Sequence, residues 1–433
     1  MHHRPRPLFA FLLVALFALG LTLAQGHGEP AAPSHDHAHE HAEEHDHDHD
    51  HDHDHDHDHD HDHDHGHDHH GELAGVRLLV ASLDGPELLV LDAADGHVLG
   101  RFTVPSLGRV YQLPNPQLAA VVHRDANRVS FVHSGLSAVD HGDHMDLLEG
   151  TPYVLQTVNY GPLPTHFVAR GNDIAIYLDG SGAMAWLDAR LLGVSLDYVD
   201  VPGAGPDHGA LAVVDGHLVG GGLNEAAVGV FDRRGERLAT FDGCPRLHGQ
   251  AVRDRTVAFG CSDGVLLVSA AGGGVFTGHK IANPPGSPEN ARVGTVVGHD
   301  GSPVLVGNFG QGIAWIDPVA RTLTPMPLPA APATMRFSDD GAQLLVLTLD
   351  GALHAIDPAT GAVLASVAVL EPWVQGAPRP SFTHLGDHAF VVDPAHGAVW
   401  VVDLDHMEVE THFDLPFAPG SAAVMAIPGA VRH

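Results

Sequence analysis

The sequence predicts an all-β chain folded as a β-propeller, and three observations carry the prediction. From Glu72 onward Gly and Pro are frequent, helix signals are nearly absent, and short Val/Leu/Ala runs alternate with Asp-Gly, Gly-Asn and Pro-containing turns. One pattern recurs along that stretch: an apolar strand closed by Asp, a turn, and a further apolar strand. The strand-ending Asp317, Asp357 and Asp403 stand 40 and 46 residues apart, which is the spacing of propeller blades.

The units follow in chain order. They begin at Leu88 (LLVLDAADGHVLGRFTV), Arg128 (RVSFVHSGL), Ala183 (AMAWLDARLLGVSLDYV), Val228 (VGVFDRRGERLATF), Gly264 (GVLLVSAAGG), Ile313 (IAWIDPVARTLTPMPL), Leu353 (LHAIDPATGAVLASV) and Val399 (VWVVDLDHMEVETHF). The copies at Arg128 and Gly264 are the weaker ones. Hairpins such as THFVARGNDIAIYLDG at Thr165 precede most of them, so a four-stranded blade fits. The expected count is eight blades, with seven as the alternative because the second unit is the least regular. The first unit, near Val76, lacks an innermost strand, and residues 421–427 form a spare one. Joining the two closes a propeller spanning residues 72–433 and removes two open sheet edges.

Two segments precede the propeller. Residues 1–24 read as a secretory signal: Arg4 and Arg6, an apolar run from Leu8 to Leu23, and a small residue at Ala24. The expectation is an exported, periplasmic protein with no membrane insertion after cleavage; an uncleaved anchor is the alternative. Residues 25–71 read as a disordered His/Asp-rich tail. Its core places His45, His47, His49, His51, His53, His55, His57, His59, His61, His63 and His65 in strict alternation with Asp. In an extended chain that period sets every imidazole on one side, so many weak two- or three-ligand metal sites overlap.

Charge narrows the partners. Residues 35–70 hold 18 of the 39 histidines and 15 acidic residues without Lys or Arg, and so carry −15 of the formal −33. The rest of the chain is acidic too. Nucleic acid and anionic membrane are disfavoured as partners, and cations are favoured. Cys244 and Cys261 flank the first hairpin of the fifth blade and suit a disulfide in an oxidising compartment. Paired thiolate ligands are the alternative, without a CxxC spacing to support them.

Two constellations carry candidate chemistry. Histidine recurs before the first strand of four blades, as His166 in PTHF, His208 in PDHG, His248 in RLHG and His384 in FTHL. Inner strands of a propeller begin around one channel mouth, so these four are expected to converge as ligands or to act as structural histidines within their own blades. The second constellation is VDHGDHMDL, where His141 and His144 are flanked by Asp140, Asp143 and Asp146 in a long connection of the second blade. Both imidazoles turn readily to one ion, with Asp143 as a ligand or the neighbouring carboxylates as acceptors of the free ring N–H. His123 and His133, on the strands leading into that loop, are open to either a metal or a packing role. His97, His217, His279, His299, His354, His388, His396, His406 and His412 are expected mostly at the surface. Imidazole with some carboxylate suits Zn2+, and also Cu(II) or Ni(II). Loading is expected to fall away below about pH 6, where imidazole protonates.

The acidic His-rich N-terminus, Asp140-His141-Gly142-Asp143-His144 and the pair CPRLHG…FGCSDG together resemble the AztD family of periplasmic zinc metallochaperones, over roughly residues 72–433. The resemblance implies zinc bound on the propeller and passed by direct contact to the solute-binding protein of a zinc ABC importer, with a histidine-rich arm near the site. The tract here is far more repetitive than the family pattern, so ligands are not carried over from it. The expected protein is a monomeric carrier of Zn2+ and not an enzyme. A passive metal store or a metal-dependent propeller enzyme are the alternatives.

Overall fold

The computed structural model describes residues 73–431; the expected signal and the His45–His65 tract lie outside them. The described chain contains eight four-stranded antiparallel sheets and one three-stranded sheet. Each four-stranded sheet is a propeller blade, numbered here in chain order. A single 3-10 turn at Ala189–Leu191 is the only helical element among the described residues.

Every blade repeats one plan. Blade 3 is typical: Pro164–Arg170 pairs with Asp173–Leu178, which pairs with Ala183–Asp188, which pairs with Val199–Val201. Middle strands are buried on both faces, which is why they read as unbroken apolar runs rather than alternating ones. In blade 1, Leu78, Val80, Leu89 and Leu91 pack with Phe390, Val399 and Val401 of blade 8. The intervening Leu79, Ala81, Leu88 and Val90 pack with Ala119, Val121 and Val132 of blade 2. The period of two thus glues each blade to both neighbours, at about 1.5–3 kcal/mol for each fully buried large side chain.

The recurrent aspartate at the end of the third strand is a turn device. Asp317 Oδ1 accepts the amides of Val319 and Ala320, Asp357 Oδ1 that of Ala359, and Asp403 Oδ1 those of Asp405 and His406. Such Asx turns redirect the chain into the outer strand.

Ring closure is supplied by Pro419–Met425, which pairs antiparallel with Arg77–Ser82 (Arg77 opposite Met425) and becomes the inner strand of blade 1. It begins two residues before the segment expected from the sequence.

Blade 2 carries an insertion. Between Arg128–His133 and its outer strand Tyr153–Val158, a hairpin of Leu136–Asp140 and Met145–Glu149 stands as a separate sheet. Ala430–Val431 adds to it in parallel, opposite Met145 and Asp146. Arg77 holds the hairpin base through Ser134 O and Gly150 O, the latter at 2.7 Å.

Candidate metal centre

Three imidazoles meet where the inner strands of blades 3, 4 and 5 begin. His166 is the third residue of Pro164–Arg170; His208 precedes Gly209–Val214, and His248 lies two residues before Gln250–Arg253. One ring nitrogen from each lies within 4.8 Å of the others, and all three residues are half-buried. His166 Nε2 is 2.9 Å from His208 Nε2. The His208 and His248 rings stack at 5.1 Å between centroids.

The far side of each ring fixes its chemistry. His208 Nδ1 donates to Asp179 Oδ2 at 3.0 Å, since a carboxylate only accepts. Arg124 Nη2 lies 3.2 Å from the same oxygen, which steadies the carboxylate. His248 Nδ1 donates to Gly294 O at 2.6 Å. With both Nδ1 atoms carrying the proton, Nε2 of His208 and of His248 present lone pairs, the state a metal requires. His166 Nε2 then donates to His208 Nε2, and a cation entering the cluster would be met by His166 Nε2 once that proton has moved to Nδ1 of the same ring. Tetrahedral zinc with about 2.0–2.1 Å bonds sets neighbouring nitrogens about 3.3 Å apart, a few tenths of an ångström beyond the His166–His208 spacing.

Burial, then the neighbouring His208 and His248, hold the His166 pKa down at about 4. Burial also lowers that of His248, partly offset by Gly294 O. His166 therefore stays neutral well into mild acid, and His248 gives up its proton more readily than a free imidazole. Close packing supports the geometry: a Cβ on Gly209, next to His208, would fall 2.2 Å from Tyr177 Cζ.

The structure does not bring His384 to this cluster. Ser381–Leu385 pairs with His388–Asp393 so that His384 faces Ala389, one residue from the hairpin end. His166 lies four residues before the equivalent end, Arg170 opposite Asp173. At about 3.3 Å per residue, His384 sits near the other end of the channel. The motif x-x-His-apolar is shared, whereas the register is not.

His141 and His144 are also elsewhere. The loop Arg124–Asn127 lies at the triad's end, where Asn127 Oδ1 accepts from Leu163 N at 2.7 Å. The strand Arg128–His133 then runs the length of blade 2 before the hairpin departs, so the hairpin roots at the opposite end. HGDH is its turn, with Gly142 at φ 91°. His141 Nε2 and His144 Nε2 each lie 3.0 Å from one oxygen of Asp146, and His144 Nδ1 lies 2.8 Å from Asp143 Oδ1. The carboxylate both rings share is Asp146; Asp143 is 85% exposed and, among the described residues, pairs with His144 alone.

Other histidines have structural partners. His123 is fully buried, bonding Ser106 O and Ser130 Oγ. His133 stacks on Tyr153. His354 and His388, expected at the surface, are buried against Thr348 and Ser366 and against Glu410. His354 lies mid-strand in Ala352–Ile356 and His388 opens His388–Asp393, and both strands are buried at those positions. Cys244 and Cys261 form a disulfide, Cα–Cα 5.0 Å, at the base of the segment that carries His248. Asp179 and Arg124 escaped the sequence reading because an Asp before Gly180 looks like any turn residue.

A β-propeller with a compact three-imidazole cluster at one channel mouth is the class of protein that fold and site define. No family model matches the chain. The zinc chaperone AztD of Citrobacter koseri is similar to it, at 27% identity over 377 residues, 82% of this chain and 88% of that protein. The structure of apo AztD from that organism aligns with TM-score 0.73 at 25% identity, over 81% of this chain and 97% of that one. A crystal structure of the same protein gives 0.74 at 26%, over 82% and 99%. The likeness expected from the motifs therefore holds along four-fifths of the chain. Dihydro-heme d1 dehydrogenase NirN, at TM-score 0.55 and 14% identity over 80% of this chain and 74% of that one, shares the fold alone.

Proposed function

We propose that this protein is an exported zinc metallochaperone: the His166–His208–His248 triad holds Zn2+ as cargo and yields it to the solute-binding protein of a zinc ABC importer. The observation that carries this reading is the pair of Nε2 lone pairs fixed inward by Asp179 and Gly294 O, in a chain similar to a zinc chaperone. Three imidazoles leave one tetrahedral position open. An incoming ligand from an acceptor enters there before the old bonds break, which makes holding compatible with release. Residues 1–24 act as the export signal, and the His/Asp tract of residues 25–71 captures zinc and raises its concentration near the propeller by tethering. The disulfide fits a periplasmic location.

Zinc titration against a chromophoric chelator tests the site. Wild type should show one tight site, retained on deletion of residues 35–70, and His166→Ala or His208→Ala should remove it. Transfer to a purified acceptor faster than zinc leaves the free protein marks a chaperone; transfer at the intrinsic dissociation rate marks a store.

A further inference from the structure

The channel's other mouth holds a cavity of about 420 Å³ lined by Arg170, Gln250, His299, Arg336 and His384 among apolar residues. Most charged groups there are already matched. Arg170 Nη2 grips Asp300 at 2.8 and 3.1 Å, and Asp300 also accepts from Asp254 N at 2.6 Å. Asp339 accepts from Gly386 N at 2.8 Å and lies 3.2 Å from His384 Nε2. Arg253 pairs with Asp254 at 3.5 Å. His299 Nδ1 accepts from Gly301 N.

Arg336 is the exception. Its Nε donates to Phe382 O at 2.8 Å, and its terminal nitrogens have no hydrogen-bond or ion-pair partner among the described residues. Burial and the like charge of Arg109 depress its pKa, and no carboxylate opposes them. The guanidinium is half-buried, faces the cavity and has no counter-charge, and its planar fork matches two oxygens of one anion. His384 lines the same cavity two residues along the strand from Phe382; its Nε2 lies against Asp339, and its Nδ1 has no hydrogen-bond partner among the described residues.

We propose that this cavity binds a small oxyanion, a carboxylate or a phosphate, held by the terminal nitrogens of Arg336 with His384 beside it. Asp300 does not oppose the anion because Arg170 engages it, and Asp339 faces His384 Nε2. The site is at the opposite end of the channel from the triad and does not depend on the zinc reading.

Calorimetric titration of metal-free full-length protein with inorganic phosphate and, separately, citrate at constant ionic strength tests it. At least one should bind saturably with a stoichiometry of one. Arg336→Gln should weaken that binding about tenfold or more, Arg336→Lys less, and His384→Gln about threefold. His166→Ala should leave it unchanged, which separates this site from an anion attracted to the triad. Circular dichroism reports whether each variant folds. If Arg336→Gln fails to fold, Arg336→Lys and His384→Gln decide. No saturable binding of either anion, binding unchanged in folded Arg336 and His384 variants, or binding lost in His166→Ala would overturn the proposal.

Discussion

Asp179 shows what one carboxylate does at the residue scale. It touches no cargo in the proposed site, yet it sets which nitrogen of His208 is bare. Replacing it by Asn keeps the shape and frees the tautomer, so zinc affinity should fall about 10–100-fold while the fold persists, read by competition titration. His384→Ala should leave that affinity unchanged, because His384 lies at the other mouth. The His166 pKa gives a pH signature with a defined sign. Its folded value, about 4, lies below the unfolded 6.5, so the unfolded chain binds the proton more readily. The metal-free protein should lose stability as pH falls from about 6.5 toward 4, and His166→Asn should flatten that slope in urea titrations at several pH values. Zinc should also stay bound below the pH 6 expected from free imidazole. The imidazoles were legible in the sequence as recurring letters. Their burial and their partners were not, because both arise from residues of neighbouring blades.

At the scale of elements, the hairpin Leu136–Glu149 and the triad are independent units. His141→Ala with His144→Ala should leave the triad's affinity intact and remove only a weaker, separate metal response, checked by titrating the double variant beside His208→Ala. The disulfide acts locally as well. It spans 17 residues and ties Cys244, just before His248, to the strand Thr256–Cys261, whose Gly260 O accepts from His248 N at 3.0 Å. Reduction should cost about 3 kcal/mol of stability and weaken zinc binding by loosening His248, measured by denaturant titration and chelator competition with and without reductant. HGDH was legible because three polar letters and a glycine interrupt an apolar pattern. That Asp146 and not Asp143 faces both rings follows from the alternation of the strand Met145–Glu149, which the sequence hid by leaving the strand's start undefined.

For the whole molecule, the repeating aspartate and apolar runs made the architecture readable. Each blade is a local unit whose strand order follows the chain, and only blade 1 breaks that rule. Register was the illegible part: His384 shares a motif with the triad but sits about three residues further along its strand. Val424 lies in the closing strand and packs into the core between blades 1 and 8. Val424→Asp should therefore open the ring, turning one cooperative urea transition into a broader one at lower denaturant, with fluorescence and circular dichroism no longer coincident.

The pairing of Arg77–Ser82 with Pro419–Met425 also dictates an order of assembly. Within every other blade the strands are sequence neighbours or, in blade 2, are separated only by the inserted hairpin, so these blades form from nearby chain; the last seam joins segments more than three hundred residues apart. Bringing such distant segments together is the slow entropic step. Blades 3, 4 and 5, which carry the three imidazoles, lie consecutively and far from that seam. A nascent molecule is thus expected to bring its three imidazoles together before it becomes a ring, and zinc present during folding would meet an arc that is still open.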